Sequence, residues 1–106
     1  MRIAITGAAG RLGREVVAEA LRQNHEVIGI DRVPVDRLPA YPGLLRRAAD
    51  VTDYAAVLHS LESAEAMIHL AVEAGGSADD ATVHNGNVTG SYNALRAAAE
   101  CGIRRV

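Results

Sequence analysis

Apolar and polar positions fall into blocks of different period along the chain, and each change of period marks a new element. Residues 2–6 (Arg-Ile-Ala-Ile-Thr) hold a short unbroken apolar run, as in a parallel strand buried on both faces. From residue 11 the apolar positions recur at helical spacing. Leu12, Val16, Val17, Ala20 and Leu21 share one broad face, and Arg11, Arg14, Glu15, Glu19 and Arg22 take the other. This predicts a helix over 11–23 that closes at Asn24 and His25. Glu26-Val27-Ile28-Gly29-Ile30 repeats the buried-strand pattern and ends at Asp31.

The pattern then loosens. Residues 33–43 hold all 3 prolines and end in Gly43, which predicts a loop with one helical turn at Val35–Leu38. Leu44 to Ala48 predicts a third strand, and its Arg46-Arg47 pair points to a sheet edge. Thr52 or Asp53 is placed to cap a helix over 54–63, with Ala56, Val57 and Leu61 inward. Ala66 to Ala71 is a fourth strand, and 72–77 reads as a flexible segment. A long helix follows over 80–101, starting in earnest near His84. Val88, Tyr92, Leu95 and Ala99 keep helical spacing there, Gly86 and Gly90 allow close approach, and Gly102 suits the position after the helix. Ile103-Arg104-Arg105-Val106 opens a fifth strand. Strand–helix alternation predicts an α/β, Rossmann-type doubly wound parallel sheet with early order 3-2-1-4-5. Residues 1–106 are expected to be the N-terminal, incomplete portion of that domain, truncated at the start of the fifth strand.

Composition narrows the class. The chain has 106 residues, 49% hydrophobic, with a net charge of −2. That fits one globular domain or part of one. It gives neither a basic nucleic-acid footprint nor a polybasic membrane patch, and no apolar run is long enough to cross a bilayer. With a strand opening the sequence, no signal peptide is expected. The single cysteine, Cys101, excludes a disulfide framework and a cysteine-rich zinc site, and fits a cytoplasmic protein. All 11 basic residues other than histidine are arginine, and Phe and Trp are absent, so aliphatic side chains must fill the core.

Candidate chemistry concentrates where the first strand meets the first helix. Gly7, Gly10 and Gly13 punctuate this junction. Gly7 suits the positive φ of a tight turn. A side chain at Gly10 would obstruct a ligand approaching the main chain, and Gly13 favours close helix–strand packing. The helix start offers unpaired N–H groups and partial positive charge to a pyrophosphate. No Lys-Ser or Lys-Thr follows, which argues against a P-loop. Asp31 comes about 20 residues later, as expected of a dinucleotide fold. Its carboxylate is suited to accept bonds from both adenosine ribose hydroxyls and to repel a 2′-phosphate. Arg32 pulls the other way, since a guanidinium pairs with a 2′-phosphate. Asp31 weighs more, which favours NAD over NADP. Asp50 lies at the C-terminal end of a strand and reads equally as a turn residue or a ligand contact. His25 reads as a helix-end residue, His59 as partly exposed and His69 as packed or hydrogen-bonded. No metal site is expected.

Five stretches, in order and spacing, resemble the extended short-chain dehydrogenase/reductases, especially the NAD-dependent epimerase/dehydratase group. They are Thr6-Gly7-Ala8-Ala9-Gly10-Arg11-Leu12-Gly13, Asp31, Asp50-Val51-Thr52-Asp53, His69-Leu70-Ala71, and Asn87-Val88-Thr89-Gly90 leading to Asn93-Ala94-Leu95. The resemblance implies that Gly7, Gly10, Arg11, Leu12 and Gly13 line the pyrophosphate. It implies that Asp31 holds the adenosine ribose, that Asp50 and Val51 meet the adenine edge, and that Leu70 and Ala71 run beside the cofactor. Asn87 in such proteins steadies the central helix and faces the site. Val72 stands where the family usually has alanine.

The family's proton-transfer couple, a tyrosine with lysine four residues on, cannot be present in a lysine-free chain. Tyr92 and Arg96 imitate its spacing, but arginine stays protonated, and Tyr92 precedes the family's catalytic position. No catalytic residue is assigned. The expectation is the NAD-binding portion of a nucleotide-sugar-type epimerase, dehydratase or related reductase, inactive as residues 1–106 alone. The full protein would act on a small-molecule substrate and resemble a homodimer. The alternative is a non-catalytic dinucleotide sensor of the same fold.

Overall fold

The chain forms a parallel sheet with a helix or a 3₁₀ turn between successive strands. The computed structural model describes residues 1–73, 76 and 79–106. In order, the elements are β1 (Arg2–Thr6), α1 (Arg11–Arg22), β2 (Glu26–Asp31), a 3₁₀ turn at Val35–Arg37, β3 (Leu44–Ala48), α2 (Tyr54–Ser60), β4 (Ala66–His69) and α3 (Asp80–Glu100). The sheet order is β3-β2-β1-β4, all parallel. Arg105 pairs with Ala66 in parallel, so the start of a fifth strand lies beside β4, as the expected 3-2-1-4-5 order requires. Part of the segment 72–77, at Ala74, Gly75 and Ser77, falls outside the described residues.

Side-chain alternation divides the interior into two cores, one on each face. Ile5, Val27, Val17 and Ala20 pack together on the α1 face. Ala4, Ile28, Ile30 and Met67 meet Val57, Leu61, Ala94, Ala97, Ala98 and Ile103 on the α2–α3 face. With no Phe or Trp, α3 contributes mostly alanines. That lets it lie close to the sheet and to α2.

β3 forms the outer edge of the described sheet, and its two arginines serve both faces. Arg46 donates to the Val35 and Leu38 carbonyls at 3.2 and 3.0 Å. Arg47 donates to the Ser60 and Glu62 carbonyls at 2.7 and 3.3 Å. These last are unpaired carbonyls at the C-terminal end of α2, where a cation is favoured.

Several expectations need correction. Leu12 is 61% exposed rather than inward, because the first turn of α1 projects beyond the end of the sheet and has no strand beneath it. Asp53 caps α2 through Ala56 N–H, while Thr52 bonds back to Asp50. The helix ends at Ser60, not at 63, and Ser63 takes φ 72°. β4 stops at His69, opposite Thr6, since the chain of β1 turns away at Gly7. α3 is helical from Asp80, capped by Asp79 through Thr82 N–H. Its Val88, Tyr92 and Leu95 face solvent at 55%, 63% and 55% exposure. Gly90 is a true close approach, since a Cβ there would lie 2.6 Å from Val51 Cγ2, whereas one at Gly86 would meet only Glu73 Cβ at 4.0 Å.

Candidate nucleotide-binding cleft

The C-terminal ends of the strands open into a cleft of about 840 Å³. Open α/β sheets bind ligands at this edge, near the point where strand order reverses. All eleven residues singled out from the sequence line it: Gly7, Gly10, Arg11, Leu12, Gly13, Asp31, Asp50, Val51, Leu70, Ala71 and Asn87. A smaller hollow of about 460 Å³ lies at the opposite end of the strands. Its one arginine, Arg2, is already paired with Glu26 at 2.7 Å, and among the described residues no helix start lines it.

The glycine turn forms the floor. Gly7 has φ 73°, and a Cβ on it would sit 2.8 Å from the Ala71 nitrogen and the Leu70 carbonyl carbon. Gly10 N–H closes the turn on Gly7 O at 3.0 Å. Gly13 packs on that same oxygen so tightly that a Cβ would lie 1.9 Å from it. Gly10 is the N-cap of α1, with no side-chain cap and no acidic residue in the first turn. α2 and α3, by contrast, are capped by Asp53 and Asp79. The first N–H groups and positive end of α1 thus remain for an anion.

Thr6 ties this turn to β4. Its side chain is fully buried. Oγ1 accepts from Leu70 N–H at 3.1 Å and Ala71 N–H at 3.2 Å, which uses both lone pairs. Its own proton is therefore donated to His69 Nδ1 at 2.7 Å. The other imidazole nitrogen then carries the proton and donates to Ser91 Oγ at 3.3 Å. Burial holds the His69 pKa below its ordinary value, consistent with this neutral tautomer. His69 is a hydrogen-bonded strut between β1, β4 and α3.

On the β2 side, Asp31 is fastened to the turn. Oδ2 accepts from Ala9 N–H at 2.9 Å and Oδ1 from Val33 N–H at 3.3 Å. Each oxygen keeps a lone pair, so the carboxylate can still receive two hydroxyl protons. Asp50 fills both sequence-level roles at once. Oδ1 closes a turn by accepting from Thr52 N–H and Oγ1–H, yet the residue lines the cleft. Those bonds, and then the nearby Arg32 charge, hold its carboxyl below the usual range.

The partners of several cleft residues were not legible in the sequence. Asn93 is buried and donates to Val51 O at 2.9 Å, fixing the backbone beside Asp50. Asn87 grips Glu73 on both sides, accepting from its N–H and donating to its C=O at 3.2 Å. Glu73 in turn holds Arg32, Oε2 to Nη1, at 2.9 Å. Since β1 lies between β2 and β4, this ion pair spans the end of β1 above the glycine turn. A polar residue closing an apolar strand was the only sequence signal for Thr6. The ion pair had none, because its partners are separated by 41 positions.

Known proteins are similar to this chain in sequence and fold. An uncharacterised protein of Mycobacterium tuberculosis is 39% identical over 106 residues, covering 100% of this chain and 12% of that protein. The L-arabinose 1-dehydrogenase (NAD(P)(+)) of Haloferax volcanii is 35% identical, covering 99% of this chain and 39% of that enzyme. The crystal structure of the Bordetella bronchiseptica enzyme WbmG in complex with NAD and UDP superposes with a TM-score of 0.84 at 31% identity, over 98% of this chain and 35% of that one. The chain thus spans well under half the length of these relatives. Residues 3–106 match the family described as NAD dependent epimerase/dehydratase, and the chain belongs to that family.

Proposed function

We propose that this chain is the NAD-binding part of an epimerase, dehydratase or related reductase, and that the cleft receives the cofactor. The observation that carries the reading is the uncapped start of α1, closed on a positive-φ glycine turn, with Asp31 tied to that turn and holding two lone pairs free. Gly7, Gly10, Arg11, Leu12 and Gly13 hold the pyrophosphate. Asp31 takes the adenosine ribose, and Asp50 with Val51 borders the adenine. Leu70, Ala71 and Asn87 flank the rest. The exposed apolar side chains of Leu12 and Val72, at 61% and 71%, lie at the cleft, where a bound ligand covers them.

NAD, when bound, supplies reversible hydride acceptance, and the residues of this chain supply its position. Among the described residues the one imidazole of the cleft, His69, has both ring nitrogens engaged by Thr6 and Ser91. The chain holds no lysine, and Tyr92 points to solvent outside the cleft. Residues 1–106 alone therefore turn over no substrate. The reaction belongs to the longer protein, acting on a hydroxyl or carbonyl compound such as a nucleotide sugar. Names of relatives, an arabinose dehydrogenase and an enzyme solved with NAD and UDP, support that class. The exposed stripe Val88, Tyr92 and Leu95 on α3 supports pairing of two copies through that helix. The lone free cysteine fits a reducing cytoplasm. The second reading is a dinucleotide sensor of the same fold that binds without catalysis; a Ser or Thr followed by Tyr-x-x-x-Lys after residue 106 would decide for the enzyme.

Calorimetric titration tests the binding claim. NAD binds the wild-type chain, and Asp31→Ala weakens it by about tenfold or more, the scale of losing hydrogen bonds to a charged acceptor. A wild-type chain that takes up no NAD removes the proposal.

A further inference from the structure

The ion pair across the cleft bears on which cofactor enters. Arg32 directly follows Asp31 at the end of β2 and lines the cleft with it, so its guanidinium adjoins the ribose-binding carboxylate in sequence. Left free, it would be the natural partner of a 2′-phosphate. It is not left free. Nη1 is held 2.9 Å from Glu73 Oε2.

The two partners are unequal. The Arg32 side chain is 62% exposed and the Glu73 side chain 25%. The Glu73 backbone is gripped at both its N–H and its C=O by Asn87. Glu73 is thus the anchor and Arg32 the mobile arm, and the anchored partner has little conformational freedom left to lose on pairing. Charge points the same way. Three carboxylates, Asp31, Asp50 and Glu73, line the cleft against two guanidinium groups, Arg32 beside Asp31 and Arg11 at the start of α1. A phosphate arriving at the ribose meets an excess of negative charge and an arginine already engaged.

We propose that Glu73 is a specificity-determining positioning residue: by holding Arg32 it keeps that guanidinium from a 2′-phosphate and so enforces selection of NAD over NADP. This rests on the NAD reading of the cleft. Asp31 repels the 2′-phosphate directly, and Glu73 adds to the discrimination through Arg32.

The experiment measures Kd for NAD and for NADP on four forms of the chain: wild type, Glu73→Gln, Arg32→Gln and the double variant. Glu73→Gln lowers the ratio Kd(NADP)/Kd(NAD) about fivefold, the scale of an exposed ion pair. In the Arg32→Gln background the same change leaves the ratio where it was, since there is no arginine to release. Simple damage to the cleft weakens both cofactors together and does not move the ratio. A ratio unaltered by Glu73→Gln overturns the proposal. So does a fall of equal size in the Arg32→Gln background, which would mean direct repulsion by Glu73. Failure of the wild-type chain to bind NAD defeats the cofactor reading itself and is seen before any variant is compared.

Discussion

Replacing Gly13 by alanine probes the packing that shapes the glycine turn. Gly13 lies in the first turn of α1 and has an ordinary helical backbone, so alanine costs nothing in φ and ψ. In an open helix position the change would stabilise by up to about 1 kcal/mol. Here the new Cβ would stand 1.9 Å from Gly7 O, 2.8 Å from Gly7 C and 3.0 Å from Ala8 Cα. Carbon contacts settle at about 3.5–4.0 Å, so the helix and turn must part by more than about 1 Å. Every obstructing atom is backbone, and no side chain can rotate out of the way. Overpacking costs about 1–3 kcal/mol and sometimes more. With the deficit this large, the net loss is about 2 kcal/mol or greater. Gly86→Ala is the matched control, helical again, with only Glu73 Cβ near, at 4.0 Å. It gains up to about 1 kcal/mol. Urea denaturation of the two variants should therefore separate them by about 3 kcal/mol with opposite signs. Because the turn must open, Gly13→Ala should also weaken NAD binding at least about tenfold. A Gly13→Ala chain as stable as wild type would refute the packing argument. One that unfolds easily yet binds NAD normally would refute the link between packing and site.

Two further outcomes follow from the hydrogen-bond network. Burial lowers the His69 pKa in the folded chain. Between that value and the unfolded value near 6.5 the unfolded chain binds more protons, so stability falls as pH drops through this window and is retained above it. Urea midpoints at pH 7.5 and 5.5 should show that fall, and His69→Gln should shrink it; an unchanged pH slope would count against the neutral strut. Asn93→Ala removes the donor to Val51 O and should cost about 1–3 kcal/mol in the same assay, the scale of stranding a buried carbonyl. A change under about 0.5 kcal/mol would show that water replaces the amide.

What the sequence disclosed depended on whether an interaction was local. The order of elements, the parallel sheet and the edge position of β3 follow from periodicity and from Arg46-Arg47. The positive φ of Gly7 was legible because strand, turn and helix adjoin there. Leu12 was placed inward because periodicity names a face of a helix but not where the sheet beneath it stops. Gly86 and Gly90 look equivalent one turn apart. Only the position of Val51, in another part of the chain, distinguishes them. The bonds made by Thr6, Asn93 and Arg32 were not legible for the same reason. Their partners lie more than forty positions away, and no local pattern encodes such a meeting.

The Thr6 side chain has a consequence for how the cleft comes into being. Its three bonds join residues 63, 64 and 65 positions apart, and Gly7 rests against the backbone those bonds fix. Closing so long a stretch of chain carries an entropic cost that must be met before the turn is braced. The wall against which Gly7 rests is thus supplied only when β4 has docked beside β1. A peptide spanning only β1, α1 and β2 carries every glycine of the turn and also Asp31, yet it lacks the wall that shapes them. Grafted into another scaffold, such a segment would carry the motif without the binding site.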